Sequence, residues 1–92
     1  QLTSRFAESS NPSYLDSLGW VHYKLGDYAK AVAVLERAVA LQPQSPLLST
    51  HLGMALVKSG ETQRGQDILK RVIETKANVP NIEAVRKMAG LG

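Results

Sequence analysis

Residues 12–45 read PSYLDSLGWVHYKLGDYAKAVAVLERAVALQPQS, and residues 46–79 read PLLSTHLGMALVKSGETQRGQDILKRVIETKANV. Laid one beneath the other, they agree at many positions. Pro12 stands over Pro46, Leu18 over Leu52, Gly19 over Gly53, Lys24 over Lys58, Gly26 over Gly60, Leu35 over Leu69 and Arg37 over Arg71. Asp27 stands over Glu61, and Pro80 opens a third unit at the same spacing of 34 residues. Self-similarity at one fixed offset is the mark of a chain built from stacked structural units.

Each unit reads as two helices. Asn11-Pro12 and Ser45-Pro46 are helix starts: the polar side chain accepts a free backbone N–H, and proline at the first helical position loses a donor that had no partner. Leu15, Leu18, Val21, His22 and Leu25 then recur at steps of three and four, which predicts an amphipathic helix with these residues on its apolar side. Gly26 ends it, and Asp27 is placed to cap the next helix, expected over Tyr28 to Leu41 until Gln42-Pro43 stops it. The second unit predicts helices over 46–58 and 62–76, broken at Ser59-Gly60. Asn78-Val79-Pro80 then opens a last amphipathic helix carrying Ile82, Val85, Met88 and Ala89. No alternating run bounded by hairpin turns suggests strands.

A helix–turn–helix period of this length resembles the tetratricopeptide repeat family, and the residues agree with its motif. In the first unit Leu18-Gly19, Gly26-Asp27-Tyr28, Ala31, Ala38 and Pro43 match. Leu15 stands where tryptophan is common, His22 where tyrosine is, and Leu35 where phenylalanine is. The second unit is more degenerate: Leu52-Gly53, Gly60 and Leu69 survive, but Gly65 and Val72 replace small alanines and Ala77 replaces the closing proline. The resemblance implies an all-α, right-handed α-α superhelix with two helix-turn-helix repeats, 12–45 and 46–79, and a C-terminal capping helix at 80–90. All of residues 1–92 would form one domain, with 1–10 the end of a preceding helix or a tail. Glycine and alanine at 19, 53, 31 and 38 let neighbouring helices approach, while Leu18, Leu35, Leu52 and Leu69 fill the remaining space. The segment Asp16-Ser17-Leu18-Gly19-Trp20 with Ile82-Glu83-Ala84 also resembles the C-terminal ends of large bacterial repeat proteins, some of them lipoproteins of exopolysaccharide export.

In that family the first helix of each pair lines a concave groove that holds a peptide or helix of a partner protein. Carried onto this chain, the groove residues are Ser13, Asp16, Trp20, Tyr23 and Lys24 from the first unit. The second unit gives Leu47, Thr50, Met54, Val57 and Lys58, and the last helix gives Asn81, Ala84 and Met88. Trp20, Tyr23, Leu47, Met54 and Val57 would make an apolar patch, which on a protein surface marks an interaction site. The family's carboxylate clamp needs Lys, Asn and Arg on these faces; Asp16, Trp20, Thr50 and Met54 stand there instead. The expected partner is therefore an apolar or amphipathic segment, with Lys24 and Lys58 at the rim. The alternative is self-association into a homo-oligomer by stacking, because a repeat cannot bury its apolar face alone.

Composition excludes other classes. With 43% hydrophobic and 21% charged residues the chain is ordinary for a globular protein. It holds no cysteine, so neither disulfides nor thiolate chemistry are available. No apolar run reaches the ~20 residues of a membrane helix, so membrane insertion by this segment is not expected. Net charge is +3, with four basic and four acidic residues in 1–57 but seven basic against four acidic in 58–92. The pairs Lys70-Arg71 and Arg86-Lys87 lack the aromatic-interleaved basic groove of a nucleic-acid binder, so no nucleic-acid partner is expected. His22 and His51 have no ligand-spaced companions, so no metal site or cofactor is expected, and neighbouring Ser49, Thr50 and His51 point apart on a helix, so no catalytic residues are assigned. The reading is a scaffold, not an enzyme. Opening on Gln1 instead of Met, the chain is expected to be a piece of a longer protein, which leaves cytoplasm and bacterial envelope equally open.

Overall fold

The computed structural model describes residues 11–76, 78, 79 and 81–91, and those residues form five helices and no strand. They are α1 (Pro12–Lys24), α2 (Tyr28–Leu41), α3 (Pro46–Ser59), α4 (Thr62–Glu74) and α5 (Ile82–Met88). The expectations placed on residues 1–10, Ala77 and Pro80 lie outside the described residues.

The helix starts follow the side-chain logic in part. Asn11 Oδ1 accepts from the N–H groups of Ser13 at 2.9 Å and Tyr14 at 3.2 Å. Ser45 Oγ accepts from the Leu48 N–H at 3.3 Å. Asp27, expected to cap α2, makes no cap hydrogen bond; its carboxylate instead lies 3.7 Å from Lys30 Nζ, one turn ahead. Glu61 repeats that arrangement before α4, reaching Arg64 at 3.7 Å. Gly60 closes α3 in the left-handed region at φ 105°, where a Cβ would be penalised. Lys76 and Asn81 also take positive φ, 57° and 54°. They explain two corrections: α4 ends at Glu74, short of 76, and α5 begins at Ile82, two residues after Pro80.

Consecutive helices pack side by side, α1 on α2, α2 on α3 and α3 on α4, and α3 also touches α1 and α5. Small residues set the spacing. A Cβ on Gly19 would stand 2.6 Å from Leu35 Cγ, and one on Gly53 would stand 2.7 Å from Leu69 Cδ2. Ala31, Leu35, Ala38, Ala55, Leu56 and Leu69 are fully buried around these approaches. Gln66 donates to the Met88 carbonyl at 3.1 Å and ties α5 to α4.

The apolar side expected of α1 is only half covered. Leu15 is buried, but Val21 is 53% and Leu25 74% exposed, as is Tyr14 at 42%. The cause lies in the repeat itself. One period on, Leu48 and Ala55 occupy the positions of Tyr14 and Val21, and both are buried, Leu48 beside Ala38 and Ala55 beside Ala31 and Leu35 of α2. The face that α3 turns to α2 meets no helix in α1 among the described residues. His22, counterpart of buried Leu56, has its Nδ1 buried without a hydrogen-bond partner among the described residues.

Candidate functional site

α1 and α3 run next to each other, and the residues facing outward between them form an aromatic wall. Trp20 and Tyr23, one turn apart on α1, stack with ring centroids 4.7 Å apart and planes within 4°. Across the repeat boundary Trp20 also stacks on the His51 imidazole, 4.4 Å away with an angle of 22°. Tyr28 meets Tyr23 edge-on at 5.5 Å, and Lys24 Nζ lies 5.9 Å over the indole. Such offset and edge arrangements satisfy the ring quadrupoles, so the wall is fixed before anything binds. Burial, and then the neighbouring Tyr28, push the Tyr23 phenol above its ordinary range.

Asp16 and His51 lock the two units together. His51 Nδ1 lies 2.6 Å from Asp16 Oδ1, and both side chains are mostly buried. The contact demands the tautomer in which Nδ1–H donates to the carboxylate, leaving Nε2 as the uncommitted ring nitrogen. Asp–His pairs orient bases in hydrolases, but that chemistry also needs a nucleophile. Thr50, the adjacent hydroxyl, donates to the Pro46 carbonyl at 2.7 Å, and no hydroxyl bonds to His51 among the described residues.

Beside this wall lies a hollow of about 280 Å³, lined by Trp20, Leu47, Thr50, His51, Met54, Asn81, Ala84 and Val85. It is therefore built from α1, α3 and the start of the last helical segment. Of the residues expected in the groove, Trp20, Leu47, Thr50 and Met54 are brought together with Asn81 and Ala84. Leu47, 38% exposed, forms an outer lip, and Asn81 and Ala84 are exposed as well. Thr50, only 2% exposed and with its hydroxyl occupied, is floor. Met54 and Val57 are half-buried and pack on the cluster of Leu69, Val85 and Ala89, as does Met88. Val57, Met88 and Ser13 do not line the hollow. Asp16 and Tyr23 build the wall from behind, and Lys24 and Lys58 are exposed.

His51 is the wall residue that sequence reading passes over. A signal for it exists: in adjacent first helices, position i of one unit lies beside a position about one period on, and Asp16 and His51 are 35 apart. Taken within its own unit, His51 has no partner; taken across units, it has a carboxylate.

Among the described residues no group of three His, Cys, Asp or Glu side chains is arranged to hold a metal ion. No described helix is long and apolar enough to cross a membrane.

Residues 22–89 match the sequence family described as tetratricopeptide repeat. Among curated proteins, a TPR repeat-containing thioredoxin of Arabidopsis thaliana is 33% identical over 72 residues, which is 78% of this chain and 10% of the relative. The chain thus spans about a tenth of that protein's length. No solved structure matches.

Proposed function

The chain belongs to the tetratricopeptide repeat family, whose repeats bind partner proteins and are typically not enzymes, and from that premise we propose that its hollow receives an apolar or amphipathic segment of a partner protein. The observation that supports this most is the rigid aromatic wall of Trp20, Tyr23 and His51 beside a hollow with apolar Leu47, Met54 and Ala84 around it. Aromatic anchors already held in place lose little entropy on binding, so contact area there converts efficiently to affinity. The units we propose are 12–45, 46–79 and a cap within 80–90, with no catalytic role for any of them. The likeness of Asp16–Trp20 and Ile82–Ala84 to envelope-export lipoproteins is proposed for the parent protein alone, and a lipid-modified, membrane-fractionating parent is the result that would support it.

Trp20 is the only tryptophan, so its emission reports on the wall directly. Amphipathic peptides selected by display against the chain should shift that emission on titration, and Leu47→Glu or Ala84→Glu, both at exposed positions, should abolish the shift while circular dichroism stays unchanged. Selected peptides that bind equally well to both variants and leave Trp20 silent would refute the reading.

A second reading, assembly by stacking, is supported by the exposed Tyr14, Val21 and Leu25 of α1. Sedimentation separates the two. A concentration-dependent mass abolished by Val21→Asp and untouched by Leu47→Glu favours assembly through α1. A monomer at all concentrations removes it for this chain.

A further inference from the structure

A larger concavity lies elsewhere, and the reading of the hollow does not use it. It holds about 590 Å³ and is lined by α2, the Pro43–Pro46 turn, α3 and α4. Past the helix start at Pro46, its α3 residues are Ser49 and Leu52, whereas the hollow takes Leu47, Thr50, His51 and Met54 from the same helix. At about 100° per residue these sets point to opposite sides of α3. The two concavities are therefore back to back.

The chemistry of the second one is distinctive. Val39, Leu52, Ile68 and Val72 line it with aliphatic surface, Leu52 and Val72 being buried and Val39 and Ile68 half-buried. Its charged lining residues are Arg64 and Arg71, and no Asp or Glu lines it. Arg64 is already committed: it donates to Glu36 at 2.8 Å and lies 3.7 Å from Glu61. Arg71, exposed in the last turn of α4, has no ion-pair partner among the described residues. An aliphatic cleft of this size with one uncommitted guanidinium at its wall matches a bulky apolar side chain adjoining a carboxylate. Like charge repels a basic segment, and a wholly polar one would leave the aliphatic surface wet.

We propose that this cleft is a second docking site, which takes an acidic, leucine-type segment of a protein, its apolar side chain over Val39, Ile68 and Val72 and its carboxylate on Arg71. The site works independently of the hollow on the other side of α3.

The test uses the 92-residue chain, isotopically labelled, and three blocked tetrapeptides: Glu-Leu-Leu-Glu, Glu-Ser-Ser-Glu and Lys-Leu-Leu-Lys. Amide shifts on titration should fall on Val39, Leu52, Ile68, Arg71 and Val72 with the first peptide and be lost with the other two. Arg71→Gln should weaken the first peptide about tenfold, as expected for loss of one charge-assisted hydrogen bond at an exposed site. Arg71→Glu should reject it and accept Lys-Leu-Leu-Lys, a rescue that general destabilisation cannot produce. Leu47→Glu, which alters the hollow, should leave all of this unchanged. Equal shifts with all three peptides, shifts gathered around Trp20 instead, or affinity indifferent to Arg71→Gln would each overturn the proposal.

Discussion

Gly65 occupies the position where the first repeat has Ala31, so restoring alanine brings the second repeat closer to the family pattern and removes a helix-interior glycine. Propensity alone predicts that Gly65→Ala stabilises α4 by about 1 kcal/mol. The packing predicts the reverse. A Cβ at Gly65 would lie 2.6 Å from the Gly53 carbonyl oxygen, 2.8 Å from the Val57 nitrogen and 2.7 Å from Val57 Cγ2. Two of these are backbone atoms of α3, which cannot swing aside as a side chain can. Ordinary contact begins near 3.4 Å, so α3 and α4 must part by about 0.6 to 0.8 Å. That separation loosens Leu69, which fills the space over Gly53. Overpacking of this kind costs roughly 1–3 kcal/mol, and with backbone as the obstacle the upper end applies. Set against the propensity gain, the net loss is about 2 kcal/mol, or roughly 8–16 °C in Tm for a domain of this size. Urea and thermal melts followed by circular dichroism measure it. A Gly65→Ala chain as stable as the parent or more so would refute the close-approach argument.

Three further outcomes follow from the geometry. A double-mutant cycle of Asp16→Asn and His51→Gln should show a coupling of about 1 kcal/mol, because a mostly buried charge-assisted bond joins them; effects additive within about 0.3 kcal/mol would remove the bond as a brace. Tyr23 has its phenol pushed upward in the folded chain by burial and by Tyr28, so its contribution to stability is fully present below about pH 10 and is lost as pH rises through the higher folded value. Tyr23→Phe should therefore flatten the alkaline decline in stability, and an identical decline in both proteins would contradict this. Val21→Asp should change stability by no more than about 0.5 kcal/mol, whereas Ala55→Asp, one period later and fully buried, should leave the chain unfolded; equal tolerance in circular dichroism melts would show that the two positions share one environment.

The helices were legible because their signals are local. Asn11-Pro12, Ser45-Pro46, Gly26 and Gly60 each act through the backbone of their own neighbourhood, and the period of 34 makes each unit a check on the other. Leu15, Gly19, Ala31, Leu35, Ala38, Leu52, Gly53 and Leu69 could be placed inside for the same reason, since small and large residues recur in matched positions. Asp27 departs from the expectation because acid before a helix has two local options, and here Lys30 gives it the other one. Asn81 in a left-handed conformation sets the first turn of the last helix at Ile82. The candidate site was less legible, since it is made between units. Nothing within residues 46–59 reveals that His51 has a carboxylate beside it or that the Trp20 ring rests on its imidazole.

The apolar character of α3 bears on which of the expected groove residues are accessible. PLLSTHLGMALVKS carries no acidic or basic side chain before Lys58, and a largely apolar helix tends to be covered on several sides. Indeed α3 touches α1, α2, α4 and α5, so residues off its α2-facing stripe are not thereby free for a ligand. Thr50 is floor, and Met54 and Val57 are held by α4 and α5. Two concavities flank α3, one between α1 and the start of α5 and the other between α2 and α4. The first is walled by stacked rings and the second by aliphatic side chains with an uncommitted arginine. A helix that serves as the shared floor of both cannot move without disturbing each, so the small residues that seat it, Gly53 and Gly65 above all, govern the shape of the two concavities as well as the stability of the stack.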